Sequence, residues 1–521
     1  MKNLVEISKI VTKKRVSKIE IFDKSLLNKK DSKFNEFYDG LVSEKFIDDD
    51  EAAEFLYGTT PLDDKYRQLK SRFSKRLLNT LFFLDANDPS FSGYHRAHYT
   101  CNKNWALVRI LLGNGARESA IKMTRKILKV AKDYRFSDMI FNCARIMMGH
   151  SSMTGNERDY EAYVEIANAA QADMEAELRA EELYQRLTIK FAASVSMKVE
   201  LADVAEVYAE EVQALCKKHD AYLLHWYKYQ ILVLSYQIRG DHAATVNICE
   251  DAEKYLAENP PFDQRKHRAH LALIKLNCHL QLRDYEQGRE NAEKCLQLFE
   301  EGKNAWFVFL EYYFLLAMHT ENYINAAGIY LKVVNHPRFA YTSVPRQEKW
   351  KIFEAFLNYI FETEGLDRSL LQNSKKRKFR LLKFLNEVPN YTKDKKGYNV
   401  AILIIQILYL LEKGEYDAII NRSEALNVYC SRYLRKDESF RSSAFIKMLL
   451  VMDKEDFKYD RTKQMAAKYL RKMHEHLETE GNEVQDWEVI PYETLWQKVL
   501  NRLKAGAPAG MVEPTNLSRF A

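Results

Sequence analysis

Glycine and proline are scarce. The 521-residue chain has 17 Gly and 10 Pro, roughly 5% together against about 12% in average proteins. All-β sandwiches and loop-rich secreted modules need frequent Gly and Pro turns, so both are excluded. No proline stands between Pro89 and Pro260, the pattern of a mostly helical chain, because proline breaks helix interiors. Cysteine is sparse as well. The seven (101, 143, 216, 249, 278, 295 and 430) are widely spaced and contain no CxxC pair, so no disulfide framework is indicated. Long apolar runs are missing too. The longest, Val400–Leu411, is interrupted by Gln406; it is too short to cross a bilayer and reads as a buried helix. The opening Met1-Lys-Asn-Leu-Val-Glu6 places charge where a signal peptide needs an unbroken apolar stretch. The expectation is a soluble, cytoplasmic protein with no membrane contact.

Charge is uneven. Residues 1–34 hold ten basic and four acidic side chains, which accounts for the whole net charge of +6 and leaves 69 of each sign elsewhere. The high pI thus belongs to a basic N-terminal arm, read as a solvated terminus able to touch an acidic partner. Nine acids crowd residues 157–182 against Arg158 and Arg179, the mark of a long acidic helix. Residues 374–396 form a basic insertion, and 505–521 a flexible Gly/Pro/Ala-rich tail.

What is present is repetition. An apolar helix, a polar turn and a second helix opening with small residues recur along the chain. One copy runs from Leu232 through Gly240-Asp241-His242-Ala243-Ala244 to Leu256, and another from Leu276 through Arg283-Asp284-Tyr285-Glu286-Gln287-Gly288 to Phe299. A third turns at Glu321-Asn322-Tyr323-Ile324-Asn325-Ala326 and a fourth at Gly414-Glu415-Tyr416-Asp417-Ala418. Weaker relatives begin at Gly113-Asn-Gly115 and between Phe141 and Ala169. Neither helix of such a pair covers its own apolar stripe, so neighbouring hairpins must stack. Runs such as His225-Trp226-Tyr227-Lys228-Tyr229 and Trp306-Phe307-Val308-Phe309 are apolar almost all round. Such helices are either buried on both sides or line a binding groove.

At these turns the sequence resembles the tetratricopeptide repeat, best across 222–340 and again near 396–434. Its offsets differ from that family: Asp241 to Asp284 is 43 residues and Asp284 to Asn322 is 38, against about 34, and Gly288 stands where the family has Ala. The resemblance implies an all-α, right-handed solenoid of tetratricopeptide-like hairpins over residues 91–504. In that architecture first helices line a concave groove for a partner peptide or helix. Tyr229, Tyr236, Asn277 and Tyr313 are the candidates for that surface.

Residues 35–90 form a separate helical module. Asn35–Asp48 and Asp50–Tyr57 read as short helices, the second capped by an Asp among 48–50 and stopped at Gly58; Thr60-Pro61 opens a longer one. Leu62, Tyr66, Leu69, Phe73, Leu77 and Leu81 make its apolar stripe, while Lys65, Arg67, Lys70, Arg72, Lys75 and Arg76 occupy the rest. The order of a basic helical head before helical repeats resembles regulators that join a winged helix to a tetratricopeptide-type domain. Two readings follow: a cap on the repeats with a wet basic face, or a nucleic-acid contact through those six side chains. No β-hairpin wing is visible after Leu84, and Asp63 and Asp64 would face phosphates.

Catalytic signals are thin. Gly113-Asn-Gly115 lacks a third glycine, and no phosphate loop, metalloprotease helix or nucleophile elbow occurs. His474 and His476 point about 200° apart on a helix and cannot share a metal easily. His95, His98 and Cys101 have usable spacing for zinc, but no fourth ligand is indicated. An enzyme would need a deep polar pocket with clustered, buried titratable groups. The reading is a non-enzymatic protein-interaction scaffold without metal or cofactor; the alternative is a nucleic-acid-associated regulator.

Overall fold

The computed structural model describes residues 33–43, 45–46, 48–81, 92–193, 198–371, 398–433, 440–479 and 488–506. Residues 1–32 of the basic arm, the whole insertion at 374–396 and the tail beyond Gly506 lie outside that set. Among the described residues there are twenty α-helices and no strand, as the shortage of turn residues predicts. The chain divides into two compact units, residues 1–175 and 176–521.

In the first unit, α1 (Lys33–Val42), α2 (Asp49–Tyr57) and α3 (Asp64–Thr80) form the N-terminal module. Its core is aromatic: the Phe73 ring lies 4.9 Å from both Phe34 and Phe37. Asp48 caps α2 through the Glu51 N–H, and Gly58 ends it at φ 62°, a left-handed stop that glycine reaches without a Cβ penalty. Three sequence expectations need correction. The first helix ends at Val42 rather than Asp48. The third starts at Asp64 rather than at Pro61, because the Asp63 carboxylate caps it by accepting from the Lys65 and Tyr66 N–H groups. Leu62 therefore lies in the turn before the helix, 83% exposed, and takes no part in the stripe that buries Tyr66, Leu69, Phe73 and Leu77.

Then come α4 (Gly93–Gly113), α5 (Arg117–Asp133), α6 (Ser137–Thr154) and α7 (Glu157–Ala193). Helix α4 packs on α5 and α5 on α6, and Cys101, Val108, Ala120, Ile127, Ala131 and Cys143 supply part of their shared core; α7 runs across the boundary into the second unit.

The second unit continues with α8 (Lys198–Cys216), α9 (Tyr222–Ile238), α10 (His242–Glu258), α11 (Arg265–Leu282), α12 (Tyr285–Cys295), α13 (Asn304–His319), α14 (Tyr323–Val334) and α15 (Val344–Thr363). It closes with α16 (Tyr398–Lys413), α17 (Tyr416–Tyr433), α18 (Phe440–Lys454), α19 (Tyr459–Thr479) and α20 (Tyr492–Ala505). Each helix packs on its sequence neighbour from α8 through α19, and α11 also packs on α13. This is the arrangement of sequential hairpins that the recurring motif predicts. One apolar core runs from Ala272 to Leu503, with Trp306, Trp350 and Trp496 among its largest fully buried side chains.

One turn geometry repeats throughout. The N–H groups of Ala116, Phe136, Asn156, Asp241, Asp284, Asn322, Leu366, Glu415 and Phe457 each donate to the carbonyl five residues back. The residue before each has positive φ: Gly115, Arg135, Gly155, Gly240, Arg283, Glu321, Gly365, Gly414 and Asp456. These are Schellman ends, which close the last open carbonyls of one helix while turning the chain into the next element. Asp241 and Asp284 then cap the following helix, accepting from the Ala244 and Gln287 N–H groups.

Gly288 has a packing reason. A Cβ there would fall inside van der Waals contact with Leu316 of α13 and meet the His279 Cβ at 3.0 Å. Helix α13 approaches so closely that the alanine expected from the resemblance would have to displace the Leu316 side chain.

Candidate interaction surfaces

The four groove candidates differ in exposure. Tyr229 is buried, its ring 5.8 Å from Tyr255 of α10 and covered by the Lys228 ammonium at 4.0 Å. Tyr313 is buried too. Its hydroxyl accepts from Asn325 Nδ2 at 2.9 Å, and the same amide donates to Tyr285 at 2.6 Å, tying α12, α13 and α14 together. Burial pushes the Tyr313 phenol up to about 12, so it stays neutral at ordinary pH. Tyr236 is half-buried, and its carbonyl receives the turn bond from Asp241. Asn277 is part-exposed and lies on a row of mixed exposure.

That row follows from helical spacing. Lys266, His270, Leu273, Asn277 and Gln281 recur at steps of three and four along α11, which puts them on one face. Leu223, Tyr227, Gln230, Leu234 and Gln237 do the same on α9. His270 Nε2 and Gln230 Oε1 meet at 2.8 Å across the seam, and Trp226 stacks on His267 at 3.9 Å. The other end of the Gln230 amide is buried with no partner among the described residues. A third row, Gln347, Lys351, Glu354, Asn358 and Glu362, runs along α15. Sequence reading named Asn277 but otherwise favoured the aromatic side chains of these first helices. The aromatics are large enough to be claimed by the core, and the rows show only when position is counted around each helix.

The six cations of the N-terminal module are partly engaged internally. Lys70 Nζ donates to Asp49 Oδ1 at 2.7 Å, and the Tyr66 hydroxyl donates to the same oxygen at 2.6 Å. Burial by itself raises the Asp49 carboxyl, but these two donors outweigh it and hold the group below its ordinary value. Arg76 lies 5.5 Å over the Phe34 ring, and Arg67 pairs with Asp64 at 3.4 Å. Arg72 reaches back to the Gln68 carbonyl. Lys65 and Lys75 are exposed with no ion pair among the described residues.

The zinc-spaced trio does not converge. His95 Nδ1 meets Ser92 Oγ at 2.8 Å, His98 is exposed, and Cys101 is buried in the core, where desolvation pushes its thiol up to about 11. Among the described residues no group of three His, Cys, Asp or Glu side chains is placed to hold a metal ion, and no helix is long and apolar enough to cross a membrane. No family model, no curated protein and no solved structure matches the chain.

Proposed function

We propose that the chain is a non-enzymatic interaction scaffold. In this reading the described hairpins of the second unit stack as a right-handed, tetratricopeptide-like solenoid, and the first helices hold a peptide or partner helix. The amide rows carry the proposal. Asn277 on α11 and Gln347 and Asn358 on α15 are part-exposed amides of first helices, and Gln230 and Gln281 lie in the same rows but are buried. An amide side chain both donates and accepts, so a row of them suits a peptide main chain whatever its sequence. Trp226, Leu223 and Leu273 offer apolar contacts beside them, while Tyr229 and Tyr313 support the surface from beneath.

The test is affinity purification from the native cell with the wild-type chain and with Asn277→Ala/Asn358→Ala. A stoichiometric protein partner that is retained by the first and lost from the second supports the reading. A partner that ignores both substitutions, or no stoichiometric partner at all, ends it.

A further inference from the structure

The body of the chain is neutral only on average. Residues 92–156 carry eleven basic side chains against three acidic ones, Glu118, Asp133 and Asp138. Helix α5 concentrates this charge. Ala120, Ile121, Thr124, Ile127, Leu128 and Ala131 are its buried face. Lys122, Arg125, Lys126, Lys129 and Lys132 are all exposed on the opposite one. Among the described residues none of the five side chains has an ion pair, a hydrogen bond or a ring contact. Their spacing forms a continuous row, about 15 Å long at 1.5 Å per residue, bracketed by Glu118 and Asp133 at its ends. No apolar side chain of α5 is exposed.

That composition separates the polyanions the row can receive. The centres of protein interfaces are depleted in lysine and built on aromatic or aliphatic anchors, which this face lacks. A helix that enters a lipid surface uses its apolar face, and here that face is already in the core. Single-stranded nucleic acid is held largely by stacking on exposed aromatic rings, and α5 shows none. A row of unpaired Lys and Arg alone matches a duplex backbone, where counterion release drives binding and no base is read. We propose that the outer face of α5 binds the phosphate backbone of a nucleic-acid duplex without sequence preference.

Fluorescence anisotropy of the full-length protein with a labelled random DNA duplex of about 30 base pairs tests this over a salt series. Five phosphate contacts predict a fall in affinity of about 500-fold between roughly 50 and 200 mM salt. The variant K122Q/R125Q/K126Q/K129Q/K132Q lowers the magnitude of the slope of log affinity against log salt by about 4.5. The matched variant R461Q/K463Q/K468Q/R471Q/K472Q, on the exposed basic face of α19, leaves that slope unchanged. In the wild-type chain, bound duplex protects Lys122, Lys126 and Lys129 from acetylation. An unchanged slope in the α5 variant, absence of that protection, or preference for poly-glutamate or phosphatidylserine vesicles over the duplex overturns the proposal.

Discussion

His319 sits at the end of α13 with its ring fully enclosed. Its Nε2 meets the Glu488 carbonyl, and its Nδ1 is buried without a partner among the described residues. Around it, Arg441 makes a double fork onto Glu488 and Glu493, and the Tyr492 N–H donates to Glu488. Desolvation pushes the imidazole down to about 4, and the carbonyl and carboxylate of Glu488 do not offset it. The folded state therefore holds a neutral ring, whereas the unfolded chain takes up a proton near 6.5. Below that value the unfolded state binds more protons, so stability is full above pH 6.5 and drains away as pH falls toward about 4. The loss from this one group is about 3 kcal/mol. Melting curves of wild type and His319→Gln across that range should converge as pH falls, since glutamine does not titrate. Parallel curves would mean that the ring is not carrying the proton balance.

At the scale of the element, the turns and the close approach at Gly288 make opposite demands on glycine. Glu321 occupies a left-handed position at φ 61°, which costs a residue with a Cβ about 1 kcal/mol. Glu321→Gly should raise the unfolding free energy by about that much, read as an upward shift of the denaturation midpoint. Gly288→Ala gains up to about 1 kcal/mol in helix propensity, yet overpacking against Leu316 and His279 costs about 1–3 kcal/mol, so the net effect is destabilising. A midpoint that rises for Gly288→Ala would show that α13 can step back. These positions also mark how far sequence reading reached. Gly240-Asp241, Glu321-Asn322 and Gly414-Glu415 announce their turns by side chain. Arg135-Phe136 and Asp456-Phe457 make the same backbone bond without a glycine, because the Schellman bond belongs to the main chain. The amide rows and the α5 face were harder still. Positions around a helix have meaning only once the buried side is known, and the acids of 157–182 mask the basic block in any whole-chain balance.

For the whole molecule, stability is distributed unevenly. The described residues contain four separate apolar clusters, spanning 34–77, 97–143, 176–238 and 272–503. Helix pairs that contact mainly their neighbours unfold by local steps as well as globally. Hydrogen exchange should therefore be slowest in α13 and α15, which are buried along most of their length, and markedly faster in α1–α3, whose core is small. Equal protection in the two regions would point to a single cooperative unit instead.

Trp350 and Phe353 of α15 lie against Phe314 of α13, yet they are synthesised 36 and 39 residues after it. At about 5–20 residues per second a ribosome takes roughly 2–8 s to add that length. Throughout that interval the greasiest segment of the nascent chain has emerged, or is emerging, without its lid, so the burden of keeping it from neighbouring polypeptides passes to holding chaperones. The feature that anchors the finished protein is thus also its moment of greatest exposure during birth.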